Sequence, residues 1–163
     1  MKRVFLSLGS NLGDRVENLR CALNELSLAG IEIVRVSSFY RTEPVDFHGQ
    51  PWFVNCVAEV KTNLMPLRLL QVLRSLERKL GRNRVVSKGP RSIDLDILFY
   101  ENAVVRSATL TIPHERIAER RFVLVPLCEL APNLRHPVTQ RTVSEMLNDT
   151  SDKSQVLRIK TES

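Results

Sequence analysis

Asp94 and Asp96 stand two positions apart in the run Ile93-Asp94-Leu95-Asp96-Ile97-Leu98. If that run is a strand, Ile93, Leu95 and Ile97 turn to one face and both acids to the other, with their Cα atoms roughly 6–7 Å apart. Two carboxylates this close repel each other and want a cation beside them. Oxygen donors favour a hard ion such as Mg²⁺, completed by water and substrate phosphates. Two solvated acids on an open sheet face are the plainer alternative, and an Asp-x-Asp pair alone does not decide. The neighbourhood favours the ion. Arg82, Arg84, Lys88 and Arg91 lie just upstream, with no acid among residues 82–91. A basic loop beside an acidic pair suits a phosphate ester with its metal, because the acids hold the ion and the bases neutralise phosphoryl oxygens. Taken alone, such a loop is also an ordinary solvated charge run.

Two further segments carry chemistry. Ile112-Pro113-His114-Glu115 is followed by Arg116, Arg120, Arg121 and Phe122. His114 in a turn beside arginines can donate to a phosphate, although no partner in sequence marks it as a general base. Residues 41–52 contain Pro44, Gly49 and Pro51 and run into Phe53-Val54-Asn55. A connection of that length is often functional. Phe53 and Asn55 share a strand face, and a ring with an amide can stack on and hydrogen-bond a flat heterocycle. A buried Asn satisfied by backbone is the commoner case, and both readings stand.

The elements that must position these groups follow from apolar spacing. Residues 4–8 read as a first strand that turns at Gly9, and Asp14 can cap the next helix. Val16, Leu19, Ala22, Leu23 and Leu26 share one face of that helix, which Gly30 ends. Residues 31–40 are β-branched and form a second strand. In residues 53–61, Val54, Cys56, Ala58 and Val60 face one way, while Phe53, Asn55, Val57 and Glu59 face the other. Pro66 opens a second helix with Leu67, Leu70, Leu73, Leu76 (or Glu77) and Leu80 on its apolar side. Residues 93–100 make a fourth strand and 104–105 a small one, and short helices are expected at 115–120 and 126–131. The order β-α-β-β-α-β is the ferredoxin-like plan: an α+β fold with an antiparallel sheet, helices on one face and small C-terminal additions. The opposite face stays open to ligands unless the C-terminal part covers it. Residues 1–147 make one domain. Residues 148–163 are a polar tail, either flexible or an extra edge element.

Composition sets the outer limits. The 163 residues suit one domain, and 43% apolar with 26% charged is the balance of a folded globular chain. No apolar run reaches the ~18–20 residues of a membrane span, and the N-terminus reads as a strand and not as a signal peptide, which makes the cytoplasm the default compartment. Three widely spaced cysteines, Cys21, Cys56 and Cys128, have no metal-ligand spacing and read as reduced thiols. The net charge of +6 is gathered in two compact groups, which suits a polyanionic small molecule better than a nucleic-acid stripe.

Several stretches together resemble the 6-hydroxymethyl-7,8-dihydropterin pyrophosphokinase family of folate biosynthesis. They are Leu8-Gly9-Ser10-Asn11-Leu12-Gly13-Asp14, Ser37-Ser38-Phe39-Tyr40-Arg41-Thr42-Glu43-Pro44, Phe53-Val54-Asn55-Cys56, Gly81-Arg82, Gly89-Pro90-Arg91-Ser92-Ile93-Asp94-Leu95-Asp96, Ile112-Pro113-His114 and Arg120-Arg121-Phe122. They fall in order and cover residues 4–137. The resemblance implies an ATP-dependent transfer of pyrophosphate to the pterin hydroxymethyl group with release of AMP. It implies that Asp94 and Asp96 bind two Mg²⁺ ions and that Arg82, Arg84, Arg91, His114 and Arg120 meet phosphates. It implies that Arg82 and Arg91 are catalytic along with the two acids. Adenine would lie near Ile97 and Thr111, and the pterin among Thr42, Pro44, Val45, Phe53, Asn55 and Phe122. Its partners are then small molecules, with neither nucleic acid nor membrane.

Many members carry Arg-Trp where this chain has Ser87-Lys88, and often Tyr where it has Phe53; Glu115 also departs from the common pattern. The rival reading is an RNA-binding sheet with Phe53 as a stacking platform. Aromatic content of 6% and two acids on the open face argue against it. A non-catalytic relative is the third.

Overall fold

The computed structural model describes residues 1–45, 49–81 and 92–160. Its strands are β1 (Lys2–Ser10), β2 (Glu32–Val36), β3 (Tyr40–Thr42), β4 (Phe53–Thr62), β5 (Asp94–Tyr100), β6 (Val105–Arg106), β7 (Thr111–Ile112) and β8 (Val156–Arg158). Its helices are α1 (Arg15–Leu28), α2 (Pro66–Lys79), α3 (Arg121–Leu130) and α4 (Val143–Asp149), with a 3-10 turn at Ile117–Glu119. The fold is α+β. The main sheet runs β5-β1-β4-β3-β8, β2 pairs with the far end of β4, and every pairing is antiparallel. β6 and β7 form a separate two-stranded ribbon. Among the described residues no helix is long and apolar enough to cross a membrane.

Strand alternation divides the apolar residues into two cores. Val4, Leu6, Leu8, Val54, Cys56, Ala58, Val60, Leu95 and Ile97 meet Leu19, Ala22 and Leu26 of α1 and Leu69, Leu73 and Leu76 of α2. Phe5, Val57, Leu98 and Phe99 emerge on the other face, under Val123, Leu124 and Leu127 of α3 and Val143 and Met146 of α4. The C-terminal part therefore does more than decorate. It covers one end of the second face and leaves the other end, with Ser7, Gly9, Asn55, Asp94 and Asp96, for the site.

Several expected boundaries move, each for a packing reason. β1 does not stop at Gly9 but runs to Ser10, pairing on both sides. The expected second strand breaks at residues 37–39, where Ser37 Oγ accepts from Val57 N at 2.9 Å and Glu129 takes the Ser38 amide at 2.9 Å. On α2 the buried row is Leu69, Leu73, Leu76 and Glu77, whereas Leu67 is 54% exposed. The helix is turned so that Glu77 reaches β5. α3 begins at Arg121, not 126, so Pro126 lies inside it. Burial of Val123 and Leu124 against the sheet outweighs the preference of proline for a first turn.

Candidate active site

The centre of the open face is a row of three residues on adjacent strands. Gly9 of β1 stands opposite Asp94 of β5 on one side and Asn55 of β4 on the other. Two strand spacings put the Asp94 and Asn55 backbones about 10 Å apart. A Cβ on Gly9 would come within 2.4 Å of Asn55 Oδ1 and 3.6 Å of the Phe53 ring. The missing side chain lets the Asn55 amide lie flat across β1. Asn55 Nδ2 donates to Thr42 Oγ1 at 2.6 Å, and both residues are buried. The partner of this Asn is thus a hydroxyl on the next strand rather than backbone. Phe53 pairs with Thr42 and Tyr40 with Asn55 across β3 and β4, so these four share the site face.

Asp96 lies one pleat beyond Asp94, opposite Ser7, on the same face. Its side chain is half-buried, with 29% of its surface open. Burial and the neighbouring Asp94 charge push that carboxyl up to about 7, against the pull of Arg74 and Arg120. A crowded acid pair of this kind could hold a hard cation. Among the described residues no three His, Cys, Asp or Glu side chains converge. The described residues thus offer two carboxylates here and no third ligand of these types.

Arg74 and Glu77, which spacing did not single out as site residues, hold this part of β5. Glu77 Oε2 accepts the Leu95 amide at 2.8 Å, and Arg74 Nη1 donates to the Leu95 carbonyl at 2.8 Å. The two side chains pair at 2.9 Å, with Glu77 fully buried. Leu95 sits between the two acids, so this α2 pair fixes the backbone that aims them. The readable signal was a charged residue in register with the apolar row of a helix. Arg74 also reaches Asp96 at 3.7 Å.

A cleft of ≈ 350 Å³ opens beside Asp96, lined by Leu70, Arg74, Ile97, Thr111 and His114 among others. It brings together Ile97, Thr111 and His114 of the expected ATP contacts. The β6–β7 ribbon forms its outer wall through Ser107–Thr111, a contribution that spacing did not reveal. His114 N donates to the Leu98 carbonyl at 3.0 Å, and its Nδ1 accepts from Arg116 N at 3.2 Å. That bond selects the tautomer with the proton on Nε2. Burial, with Arg120 and Arg116 nearby, pulls the imidazole down to about 4, against the charge of Asp94. His114 is therefore a neutral donor at pH 7. Arg120 acts on both Asp96 and His114, and its guanidinium lies 5.6 Å from the Phe122 ring centre. Pro44 and Val45 follow Thr42, Pro44 buried and Val45 half-buried. Arg82, Arg84 and Arg91, and Ser87-Lys88 between them, lie outside the described residues.

A model of the family described as 7,8-dihydro-6-hydroxymethylpterin-pyrophosphokinase (HPPK) matches residues 5–132. The chain belongs to the HPPK family. A Haemophilus influenzae protein named 2-amino-4-hydroxy-6-hydroxymethyldihydropteridine pyrophosphokinase is 41% identical over 153 residues, covering 93% of this chain and 95% of that protein. The folic acid synthesis protein fol1 of Pneumocystis carinii is 45% identical over 141 residues, which are 86% of this chain but 19% of the fungal protein. The chain thus spans about a fifth of the fungal relative. The crystal structure of wild-type Plasmodium falciparum HPPK-DHPS with pterin and p-hydroxybenzoate shares the fold at a TM-score of 0.71 and 17% identity, covering 90% of this chain and 42% of that one. The matched HPPK segment contains every site residue named above and ends before α4 and β8.

Proposed function

We propose that this chain carries out the reaction named by its family: pyrophosphoryl transfer from ATP to 6-hydroxymethyl-7,8-dihydropterin, giving the dihydropterin diphosphate and AMP in tetrahydrofolate biosynthesis. One observation carries the reading. The acid pair and the Asn55–Thr42 pair lie on one sheet face, separated only by the bare backbone of Gly9. Two substrates bound there, one by its phosphates and one by its ring, meet over Gly9.

We read the α+β fold as the ferredoxin-like plan, with β2 and β3 together as one edge strand and α1 and α2 as its two helices; the strand order β5-β1-β4-β3 supports this. Asn55 and Thr42 hydrogen-bond the pterin edge, and Phe53 and Phe122 pack on its faces. Ile97 and Thr111 line the place of adenine. Asp94 and Asp96 hold two Mg²⁺ ions. When bound, these ions supply charge neutralisation on the phosphate oxygens. The Nε2–H of His114 and the guanidinium of Arg120 donate to the triphosphate, and Arg82, Arg84 and Arg91 are assigned to it from sequence.

The pterin hydroxyl oxygen attacks the β-phosphorus in line as the bond from that phosphorus to the α,β-bridging oxygen breaks. The bridging oxygen leaves on AMP, and the hydroxyl proton passes to solvent. No covalent enzyme intermediate is needed. The residues act by holding the two reactants in line and by giving developing charge a fixed set of donors. Incubating the protein with ATP, Mg²⁺ and the dihydropterin alcohol and weighing the products tests the reading. AMP and the pterin diphosphate should appear in equal amounts, and no AMP should form without the pterin.

A further inference from the structure

Residues 150–158 lie beyond the segment that matches the family, yet they touch both walls of the pocket assigned to the pterin. On one side, Asp152 Oδ2 accepts from Arg121 N at 2.9 Å, and Arg121 Nε donates to the Ser154 carbonyl at 3.2 Å. Arg121 is the first residue of α3, and neither Arg120 nor any other local side chain caps that end. Asp152 serves as the cap from 31 positions away. Its other oxygen accepts from Ser154 N at 2.9 Å and Ser154 Oγ at 2.7 Å, which folds the segment into a tight turn. Phe122 and Arg120 flank the anchored residue.

On the other side, Gln155 N donates to Glu43 Oε1, and Glu43 N donates to the Gln155 carbonyl at 3.2 Å. β8 then pairs with β3, setting Val156 against Thr42 and Leu157 against Arg41. Ile159 N closes the contact on the Phe39 carbonyl at 2.8 Å. Glu43 sits between Thr42 and Pro44, where the long connection leaves β3. The far end of that connection is held separately. Asn11 Nδ2 donates to Gln50 Oε1 at 2.7 Å, and Arg15 Nη1 donates to the Trp52 carbonyl at 2.6 Å.

We infer that residues 150–158 are a strap that sets the distance between the Phe122 wall and the Thr42–Val45 wall of the pocket, with Asp152 as its positioning residue. The strap lines no part of the Ile97–Thr111–His114 cleft, and of the residues assigned to ATP only Arg120 adjoins it, so its effect falls chiefly on the pterin half of the site. This rests on the pterin assignment made above, and the test separates the two.

In the full chain, Asp152→Ala, Asp152→Asn and Glu43→Ala are compared with wild type. The readouts are pterin affinity in the presence of a non-hydrolysable ATP analogue, affinity for that analogue alone, and amide hydrogen exchange. For Asp152→Ala the strap predicts pterin affinity about tenfold weaker and analogue affinity within twofold of wild type. It predicts faster exchange at both the Arg121 and Glu43 amides. Asp152→Asn keeps one of the two acceptor oxygens and puts a donor at the other, so it recovers only part of the pterin affinity. Glu43→Ala weakens pterin without loosening the analogue and serves if Asp152→Ala does not fold. Exchange that rises at Arg121 alone overturns the inference, as does equal loss of both affinities or pterin affinity unchanged in both alanine variants. A wild-type protein that makes no AMP with the pterin sinks the functional reading instead, and the paired exchange at Arg121 and Glu43 still decides whether the strap exists.

Discussion

Gly9 and Asn55 face each other across β1 and β4 so closely that a Cβ on Gly9 would sit 2.4 Å from the Asn55 amide oxygen. Contacts under 3.0 Å force movement, and the neighbour here is a buried side chain already committed to Thr42 at 2.6 Å. The glycine is required for space, not for an unusual backbone. Gly9→Ala should weaken pterin affinity at least tenfold and leave the affinity for an ATP analogue within threefold. Calorimetric titration of each ligand checks this. Unchanged pterin binding would show that Asn55 is not part of the pterin site.

The Arg74–Glu77 pair, with Glu77 buried and Arg74 half-buried, joins α2 to the backbone between the two acids. Glu77→Ala leaves the Leu95 amide without its acceptor and takes one of the two carboxylates from Arg74. Leaving the buried Leu95 amide without its acceptor, with Arg74 still half-buried and partnered, should cost about 2–3 kcal/mol. Glu77→Gln keeps a carbonyl oxygen for Leu95 and should cost less, about 1–2 kcal/mol. Urea unfolding measures both, and the ordering Ala worse than Gln is the discriminating result.

His114 gives stability a pH dependence of definite sign. Its imidazole titrates near 6.5 when unfolded and about 4 in the fold. Between those values the unfolded chain holds more protons, so stability is full above pH 6.5 and drains as pH falls toward 4. The limit of this contribution is about 3 kcal/mol, since each pKa unit is worth about 1.4 kcal/mol. His114→Gln removes it. The loss of unfolding free energy between pH 7.5 and 4.5 should be smaller in the variant than in wild type. An equal loss in both would place the imidazole in solvent.

The two helical readings of α2 make opposite mutational predictions. Leu69 is fully buried, and Leu67 is 54% exposed. Leu69→Ala should cost about 2–5 kcal/mol, whereas Leu67→Ala should stay within about 0.5 kcal/mol. Thermal or urea unfolding of the pair reads the orientation of the helix directly.

That offset marks where sequence patterning stops being informative. Period-two alternation put Asp94 with Asp96, and Phe53 with Asn55, on one face of their own strands, because a pleated strand leaves no other choice; that the two pairs share a sheet face follows only from the register through Gly9. The first helix was equally legible, from Asp14 accepting at Glu17 N to Leu26 in the core. α2 was less so, since leucines at 67, 69, 70, 73 and 76 satisfy two adjacent faces, and the choice falls to a buried carboxylate with a backbone partner on β5. Gly9 looked like a turn residue because its role depends on Asn55, some 46 positions away. The tail gave no periodic signal at all. β8 forms through main-chain bonds to β3, and Asp152 finds its partner on α3, neither of which has a local pattern to read. In α3, burial of Val123 and Leu124 carried the helix through Pro126.

The central claim is that Asp94 and Asp96 together anchor the nucleotide for pyrophosphoryl transfer, and Asp96→Ala tests it most directly. Asp96 is crowded and pushed up to about 7, so removing it relieves a repulsion and leaves the fold at least as stable. AMP formed from ATP with Mg²⁺ and the dihydropterin alcohol is the measurement, made beside a melting curve. The account predicts a fall in turnover of at least a hundredfold with an unchanged or higher Tm. AMP release by the folded variant near the wild-type rate would contradict it.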